Sequence, residues 1–78
     1  MSLKTELVID EVMEEVEAAA AIYPPFHSPH EGYGVILDEL DGLWEEIKNG
    51  DAADTTRRRK KAVQLAAMAI RFILDVSE

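Results

Sequence analysis

The 78-residue chain has no cysteine. Disulfide bridges and thiolate metal sites are therefore excluded as sources of stability. A chain of this length forms one small domain, which we take as residues 1–78, and it buries only about 60% of the surface of its unfolded form. Its stability is then marginal unless copies associate, so we expect a homo-oligomer.

Long apolar runs and basic residues are also scarce. No apolar stretch approaches the roughly 20 residues that cross a bilayer, and the first residues show no basic region followed by an apolar one. We therefore expect a cytoplasmic protein with no membrane partner. Eight basic residues stand against sixteen acidic ones, for a net charge of −8. No nucleic-acid partner is expected, because nonspecific nucleic-acid binding needs a basic surface.

Apolar periodicity predicts an all-α chain of three helices and no strands. The first helix ends before Pro24, because the residue that precedes a proline disfavours the α conformation. The second follows a loop over residues 24–34, with His30 as a candidate cap, and it stops at Asn49-Gly50. Asp54 is a suitable N-cap for the third. The predicted helices cover residues 3–22, 31–48 and 55–76.

The third predicted helix is apolar almost all round. Between Ala62 and Leu74 the only polar residues are Gln64 and Arg71. Two partner helices in one chain cannot easily cover such a helix, and its alanines allow another helix to approach closely. We therefore expect a dimeric or higher helical bundle in which third helices pack together. The alternative is a monomer whose third helix is central.

The second predicted helix separates an apolar face from an acidic one. Like charges one turn apart repel each other, so a divalent cation would stabilise this helix. Glu39 and Glu46 lie at one edge of the acidic arc and Asp41 at the other, where carboxylates can turn into a cleft and bind Mg²⁺. The alternative is a solvated acidic face. This face consists of Asp38, Glu39, Asp41, Glu45 and Glu46.

Two blocks of the sequence resemble the MazG-like all-α nucleotide pyrophosphohydrolases, in particular the short bacterial and phage members. They are His30-Glu31-Gly32-Tyr33 with the following Asp38 to Glu46, and Ala62 to Phe72. The resemblance implies hydrolysis of nucleoside triphosphates to the monophosphate and pyrophosphate. It also implies Mg²⁺ held by a Glu-x-x-Glu on one helix and a Glu-x-x-Asp on the next.

The ligand pattern implied by the resemblance is incomplete in this chain. Glu39 matches the first glutamate, but Gly42 stands at the second, and Lys61 and Gln64 stand at the acidic positions of the next helix. Gln64 either replaces a ligand or hydrogen-bonds across helices. The chain is therefore expected to be an active pyrophosphohydrolase or a degenerate relative that binds nucleotide without efficient turnover.

For an active enzyme, the resemblance implies that Glu39 with Asp38 or Asp41 holds Mg²⁺ or Mn²⁺, which polarises the bridge between the α and β phosphates and positions a water. Further carboxylates would complete the site, either Glu46 or an acid of the first helix. The candidate catalytic residues are Glu39 and Glu46, and the candidate acids of the first helix are Glu14 and Glu15.

A basic block from Arg57 to Lys61 opens the third predicted helix. The helix macrodipole disfavours cations there, so a partner must offset them. The partners are either carboxylates of the other helices or the phosphates of a nucleotide, which Arg57, Arg58 and Lys61 would bind. A solvated run of charges is the remaining interpretation.

Loop residues give a further set of candidates. His27 and His30 have the spacing of zinc ligands, but the chain offers no third clear donor. Aromatic residues near the loop can stack on a base, although at such junctions they more often belong to the core. The aromatic residues are Tyr23, Phe26, Tyr33 and Trp44.

The alternative function is a noncatalytic protein–protein interaction module. Its third helix would hold the assembly together, and its acidic surface would bind a basic partner. The missing ligand residues favour this module, whereas the two sequence blocks favour the enzyme.

Overall fold

The computed structural model of the protein describes residues 1–50 and 55–77, and over these residues it consists of three helices without strands. The helices are α1 (Leu3–Ile22), α2 (Pro29–Asn49) and α3 (Thr56–Val76). The all-α prediction is confirmed. No helix in these ranges is long and apolar enough to span a membrane. Asp54, predicted as the cap of the third helix, lies outside the described residues.

α2 begins two residues earlier than the sequence analysis predicts. Ser28 is its N-cap, and the Ser28 hydroxyl oxygen accepts a hydrogen bond from the Glu31 backbone N–H at 3.1 Å. The Glu31 carboxylate in turn accepts one from the His27 backbone N–H at 3.2 Å, and Pro29 stands in the first turn. The prediction that His30 caps the helix is wrong, because Ser28, two residues earlier, is the N-cap and His30 lies inside the helix.

α3 is the central helix of the described chain. α1 and α2 both pack on α3, and within the described ranges they do not pack on each other. An ion pair joins Glu11, near the middle of α1, to Arg59 in the first turn of α3. A hydrogen bond joins Arg71, later in α3, to the Tyr23 carbonyl just after α1, so α1 and α3 run in the same direction. α2 runs in the opposite direction, since its first turns face the end of α3. A gap therefore remains between α1 and α2.

The loop that joins α1 to α2 covers residues 23–28, in place of the predicted 24–34. Phe26 of this loop enters the core, and its backbone N–H donates to the Asp75 carboxylate of α3 at 3.0 Å. The end of α3 therefore fixes the loop that leads into α2.

Arg71 is the second α3 residue that holds the loop. It is only 5% exposed, and its guanidinium carbon lies 5.0 Å from the centre of the Phe26 ring. Its Nη2 donates to the carbonyl oxygens of Pro24 at 2.8 Å and Tyr23 at 3.4 Å. Arg71 thus satisfies carbonyls that the end of α1 leaves without a helical partner.

The core of the single chain is small. No large side chain in the described part of the chain is completely shielded from solvent, and many large apolar side chains are exposed. A core of this size gives only marginal stability. The buried apolar residues are Val16, Ala19, Phe26, Ala67 and Met68.

Gly32 is the point where the start of α2 packs closely on α3. A Cβ at this position would lie 2.6 Å from Phe72 Cδ2 and 3.2 Å from Phe26 Cδ2. We expect Gly32→Ala to lower the free energy of unfolding by about 1–3 kcal/mol, because both rings must shift. Gly34→Ala, which meets open space, should raise it by about 1 kcal/mol through helix propensity. Urea unfolding followed by circular dichroism measures both, and equal effects would contradict the close packing.

Candidate functional site

A cleft of about 510 Å³ lies in the gap between α1 and α2, with α3 as its floor. Sites for small molecules commonly enclose roughly 300–1,000 Å³. Apolar side chains such as Val35 and Met68 line part of the cleft, and its polar lining consists of four carboxylates together with Gln64, Tyr23 and Arg71. The cleft therefore offers an apolar surface beside a strongly acidic one. Its carboxylates are Glu15, Glu31, Asp38 and Glu39.

Glu39 is the cleft carboxylate with an unsatisfied oxygen. Its side chain is half-buried, and Oε2 is shielded from solvent without a hydrogen-bond partner among the described residues. A shielded and unpaired oxygen of an ionised carboxylate costs free energy, which a cation or a donor would offset. The sequence analysis places Glu39 at the edge of the acidic arc, and the structure brings it to the cleft.

Gly42 and Lys61 face each other across the contact between α2 and α3. A Cβ at Gly42 would lie 3.4 Å from Lys61 Cδ, Cε and Nζ alike, so the lysine side chain lies over the glycine. Lys61 is half-buried, and within the described ranges its ammonium group has no ion pair. These two positions lie one turn from Glu39 and Gln64, respectively. The two positions at which the ligand pattern is broken are therefore neighbours in space.

Gln64 lies on the α3 side of the cleft and is half-buried. Its side chain makes no hydrogen bond to another described residue, so the expected bond across helices is not formed there. Its amide is therefore available to a molecule in the cleft.

The three predicted metal ligands are not brought together. Asp38 and Glu39 line the cleft, whereas Asp41 is exposed outside it. Asp41 follows Glu39 by two residues and so lies roughly 160° away round the helix. In residues 1–50 and 55–77, no group of three or more histidine, aspartate or glutamate side chains is placed to hold a metal ion. His27 and His30 are exposed.

The other acidic candidates divide between the cleft and the surface. Glu15 of α1 lines the cleft, but Glu14 is exposed outside it. Glu46 is half-buried and does not line the cleft. Glu45 pairs with Lys48 at 2.9 Å, and the hydrogen bond and charge of Lys48 hold the pKa of Glu45 below its ordinary value. Among the acidic candidates of the first helix, Glu15 is thus the one that lines the cleft together with Glu39.

The basic block meets a carboxylate of α1. Arg59 Nε donates to both Glu11 oxygens, at 3.2 and 3.3 Å, and Nη2 donates to one of them. The hydrogen bonds and the charge of Glu11 raise the pKa of Arg59. A carboxylate of another helix is therefore the partner of Arg59. None of the three predicted phosphate ligands, Arg57, Arg58 and Lys61, lines the cleft, and Lys61 lies over Gly42.

The aromatic residues fall into two groups. Phe26 is in the core, as expected, and Phe26 and Tyr23 line the cleft. Tyr23, Tyr33 and Trp44 are all exposed, so the expectation that they belong to the core is wrong, and Tyr33 and Trp44 do not line the cleft either. A base bound in the cleft would meet Tyr23 and Phe26.

Comparison with protein-family models, with curated proteins and with solved structures finds no match to this chain. The resemblance to MazG-like enzymes therefore rests on the two sequence blocks and stays a hypothesis.

Proposed function

We propose that this protein is a degenerate MazG-like pyrophosphohydrolase that binds a nucleoside triphosphate together with Mg²⁺ in the cleft between α1 and α2. The observation that carries the proposal is the shielded, unpaired Oε2 of Glu39. A divalent cation at Oε2 would supply the partner that this oxygen lacks among the described residues.

The cleft has few carboxylates near Glu39, which is typical of a site that binds a metal ion together with its nucleotide. Mg²⁺ in nucleotide sites is commonly held by one or two carboxylates, and phosphates and water supply the other oxygens. Glu39 with Asp38 on its flank meets that requirement, although the described residues form no complete protein cage. We therefore expect Mg²⁺ alone to bind weakly and the triphosphate to strengthen its binding.

The remaining cleft residues suit the other parts of a nucleotide. The apolar side chains and Tyr23 supply a surface on which a base can stack. Lys61 lies over Gly42, one turn before Gln64 on α3, and has no ion pair in the described chain. Its ammonium group can neutralise phosphate charge if the nucleotide extends beyond the cleft lining. The negative charge of the four cleft carboxylates repels a triphosphate that carries no metal ion. Nucleotide binding should therefore depend on the metal.

Hydrolysis of the bound triphosphate requires groups that act on the reacting atoms. Mg²⁺ would polarise the bridge between the α and β phosphates and stabilise the charge that develops there. Glu15 is the cleft carboxylate left to accept a proton from an attacking water, since Asp38 flanks the metal and Glu31 accepts a hydrogen bond from the His27 backbone N–H. Hydrolysis would release the monophosphate and pyrophosphate. Because Gly42 and Lys61 supply no carboxylate, we expect this step to be slow.

Titration calorimetry tests the proposal. Mg²⁺ and Mn²⁺ are titrated into the protein with and without a nonhydrolysable nucleoside triphosphate. The proposal predicts weak heats for metal alone and saturable binding when metal and nucleotide are present together. Glu39→Gln should weaken this binding by about tenfold or more, because the amide lacks the charge of the carboxylate.

Glu17→Gln is the matched control, since Glu17 is an exposed α1 acid outside the cleft. It removes one charge of the same kind and should leave binding unchanged. Binding that both variants weaken equally would indicate a general charge effect and would contradict a site at Glu39.

A noncatalytic interaction module is the second candidate function. It is favoured by the apolar side chains that α2 exposes, since contiguous exposed apolar patches mark interaction sites. A protein that gives no heat with metal, nucleotide or both would fit this module and not the nucleotide site.

A further inference from the structure

The cleft has two polar ends with an apolar middle. On its floor, Gln64, Met68 and Arg71 of α3 follow one another at intervals of four and three residues. Because α2 runs opposite to α3, Glu39 lies at the Gln64 end, and Glu31 lies at the Arg71 end beside the loop. These ends are about 10 Å apart along α3. A nucleotide has the same order, with charged phosphates at one end and a base at the other. We name the end with Glu31 and Arg71 the loop end of the cleft.

Arg71 keeps hydrogen-bond donors that the loop does not use. Its Nη2 donates to the Pro24 and Tyr23 carbonyls, whereas Nη1 and Nε donate to no described residue. Neither nitrogen is completely shielded, since Glu39 Oε2 is the only side-chain atom of the described residues that is both shielded and unpaired. Arg71 lines the cleft, so these donors are open to it. A guanidinium that is 5% exposed and has no carboxylate partner in the described chain favours an acceptor bound in the cleft.

Glu31 provides acceptors at the same end. Its Oε1 accepts a hydrogen bond from the His27 backbone N–H at 3.2 Å, and Oε2 accepts none from a described residue. Glu31 and Arg71 have opposite charges and both line the cleft, yet no ion pair joins them in the described ranges. The loop end therefore holds a charged donor and a charged acceptor that do not satisfy each other. Phe26 and Tyr23 add aromatic surface beside them.

We propose that the loop end of the cleft binds guanine, so that the site is specific for guanine nucleotides. Guanine carries two neighbouring acceptors, O6 and N7, and arginine commonly donates to both of them. Next to O6 it carries two neighbouring donors, N1–H and the N2 amino group, which match a carboxylate. Arg71 donates to the first pair and Glu31 accepts from the second. This inference rests on the proposed function, because it assigns the base of the nucleotide whose metal lies at Glu39.

The other bases match Glu31 and Arg71 less well. Adenine has an amino group in place of O6, so it presents a donor to the donors of Arg71. Cytosine offers Glu31 one amino group and uracil offers it one N–H, so neither gives the carboxylate two neighbouring donors. A site whose polar groups stay unpaired rejects the ligand that fails to pair them. We expect guanine to be preferred by about tenfold or more, which corresponds to one lost bidentate contact.

Calorimetry on the parent protein tests the preference. Nonhydrolysable analogues of GTP, ATP, CTP and UTP are titrated in turn in the presence of Mg²⁺. The GTP analogue should bind about tenfold or more tightly than each of the others. Equal affinities, or tightest binding of another base, would overturn the guanine site and leave the proposed function standing. If none of the four binds, the proposed function and the guanine site fail together.

Altered bases test the two contacts without changing Arg71, which also holds the loop. 7-Deazaguanosine triphosphate lacks the N7 acceptor, and inosine triphosphate lacks the N2 amino group. In competition with the GTP analogue, each should bind about fivefold or more weakly than GTP, since each loses one hydrogen bond to a charged side chain. If both bound as tightly as GTP, neither side chain would contact the base as proposed, and the guanine site would be wrong.

Glu31→Gln tests the acceptor on the protein. Glutamine keeps an oxygen for the His27 N–H and so preserves the cap of α2, but it presents an amide donor in place of the other carboxylate oxygen. The preference for the GTP analogue over the UTP analogue should fall about tenfold. Glu17→Gln, which changes an exposed acid outside the cleft, is the matched control and should keep the preference. Glu39→Gln should weaken all four analogues alike, because it acts on the metal. A folded Glu31→Gln variant with the preference of the parent would contradict the guanine site.

Discussion

Replacing Arg71 with alanine is expected to lower the free energy of unfolding by about 3 kcal/mol, a large part of the stability of a domain this small. The side chain is buried and donates hydrogen bonds to the carbonyls of Pro24 and Tyr23. Its removal leaves these carbonyls without their donor, which costs about 1–3 kcal/mol, and it also leaves a cavity beside Phe26. Urea unfolding followed by circular dichroism measures the change.

Arg57→Ala is the control for this experiment. Arg57 belongs to the same helix and is exposed, so its removal should change the free energy of unfolding by less than about 0.5 kcal/mol. If Arg71→Ala cost no more than Arg57→Ala, Arg71 would not hold the loop against α3.

The double change Gly42→Glu with Lys61→Glu is expected to tighten Mg²⁺ binding by about tenfold or more. Positions 42 and 61 are neighbours across the contact of α2 with α3, one turn from Glu39 and Gln64. The change adds two carboxylates there and removes one ammonium group. Calorimetry with Mg²⁺ measures the affinity, and release of pyrophosphate from a nucleoside triphosphate shows whether turnover rises with it.

Three controls separate the metal site from other effects. Gly42→Glu alone should pair with Lys61 and gain little affinity for metal. It should also gain about 1 kcal/mol of helix propensity, so the stability without metal is measured separately. The double change in a Glu39→Gln background should lose the gain in affinity. A double variant that binds Mg²⁺ no better than the parent would show that these positions do not share a site with Glu39.

The helices follow from local signals in the sequence. Pro24 stops α1 at the predicted residue, because a proline disfavours the α conformation of the residue before it. Gly50 ends α2 at a point where a Cβ would lie 2.5 Å from the Glu46 carbonyl oxygen, so the lack of a side chain suits this position. The start of α2 was predicted two residues too late, although Ser28 and Glu31 carry the pattern of a capping pair. The start of α2 is therefore encoded by a local pattern, the Ser-x-x-Glu pair at residues 28 and 31.

The site depends on contacts that the sequence cannot specify. Arg71 meets Tyr23 and Pro24, which precede it by more than forty residues, so no local pattern predicts the bond. The shielding of Glu39 likewise depends on the angle at which α2 crosses α3. By contrast, the separation of Asp41 from Glu39 follows from helical geometry alone and could have removed Asp41 from the metal set.

The most direct test of a metal–nucleotide site at Glu39 is the amide NMR spectrum with substoichiometric Mn²⁺ and a nonhydrolysable nucleoside triphosphate. Paramagnetic broadening falls off steeply with distance, so it locates the ion. We predict that the amide signals of Glu39 and Gln64 lose intensity while those of Leu3 and Leu7, at the far end of α1, keep theirs. Broadening confined to the exposed acids Glu6 and Asp10, or no broadening when both ligands are present, would contradict the site.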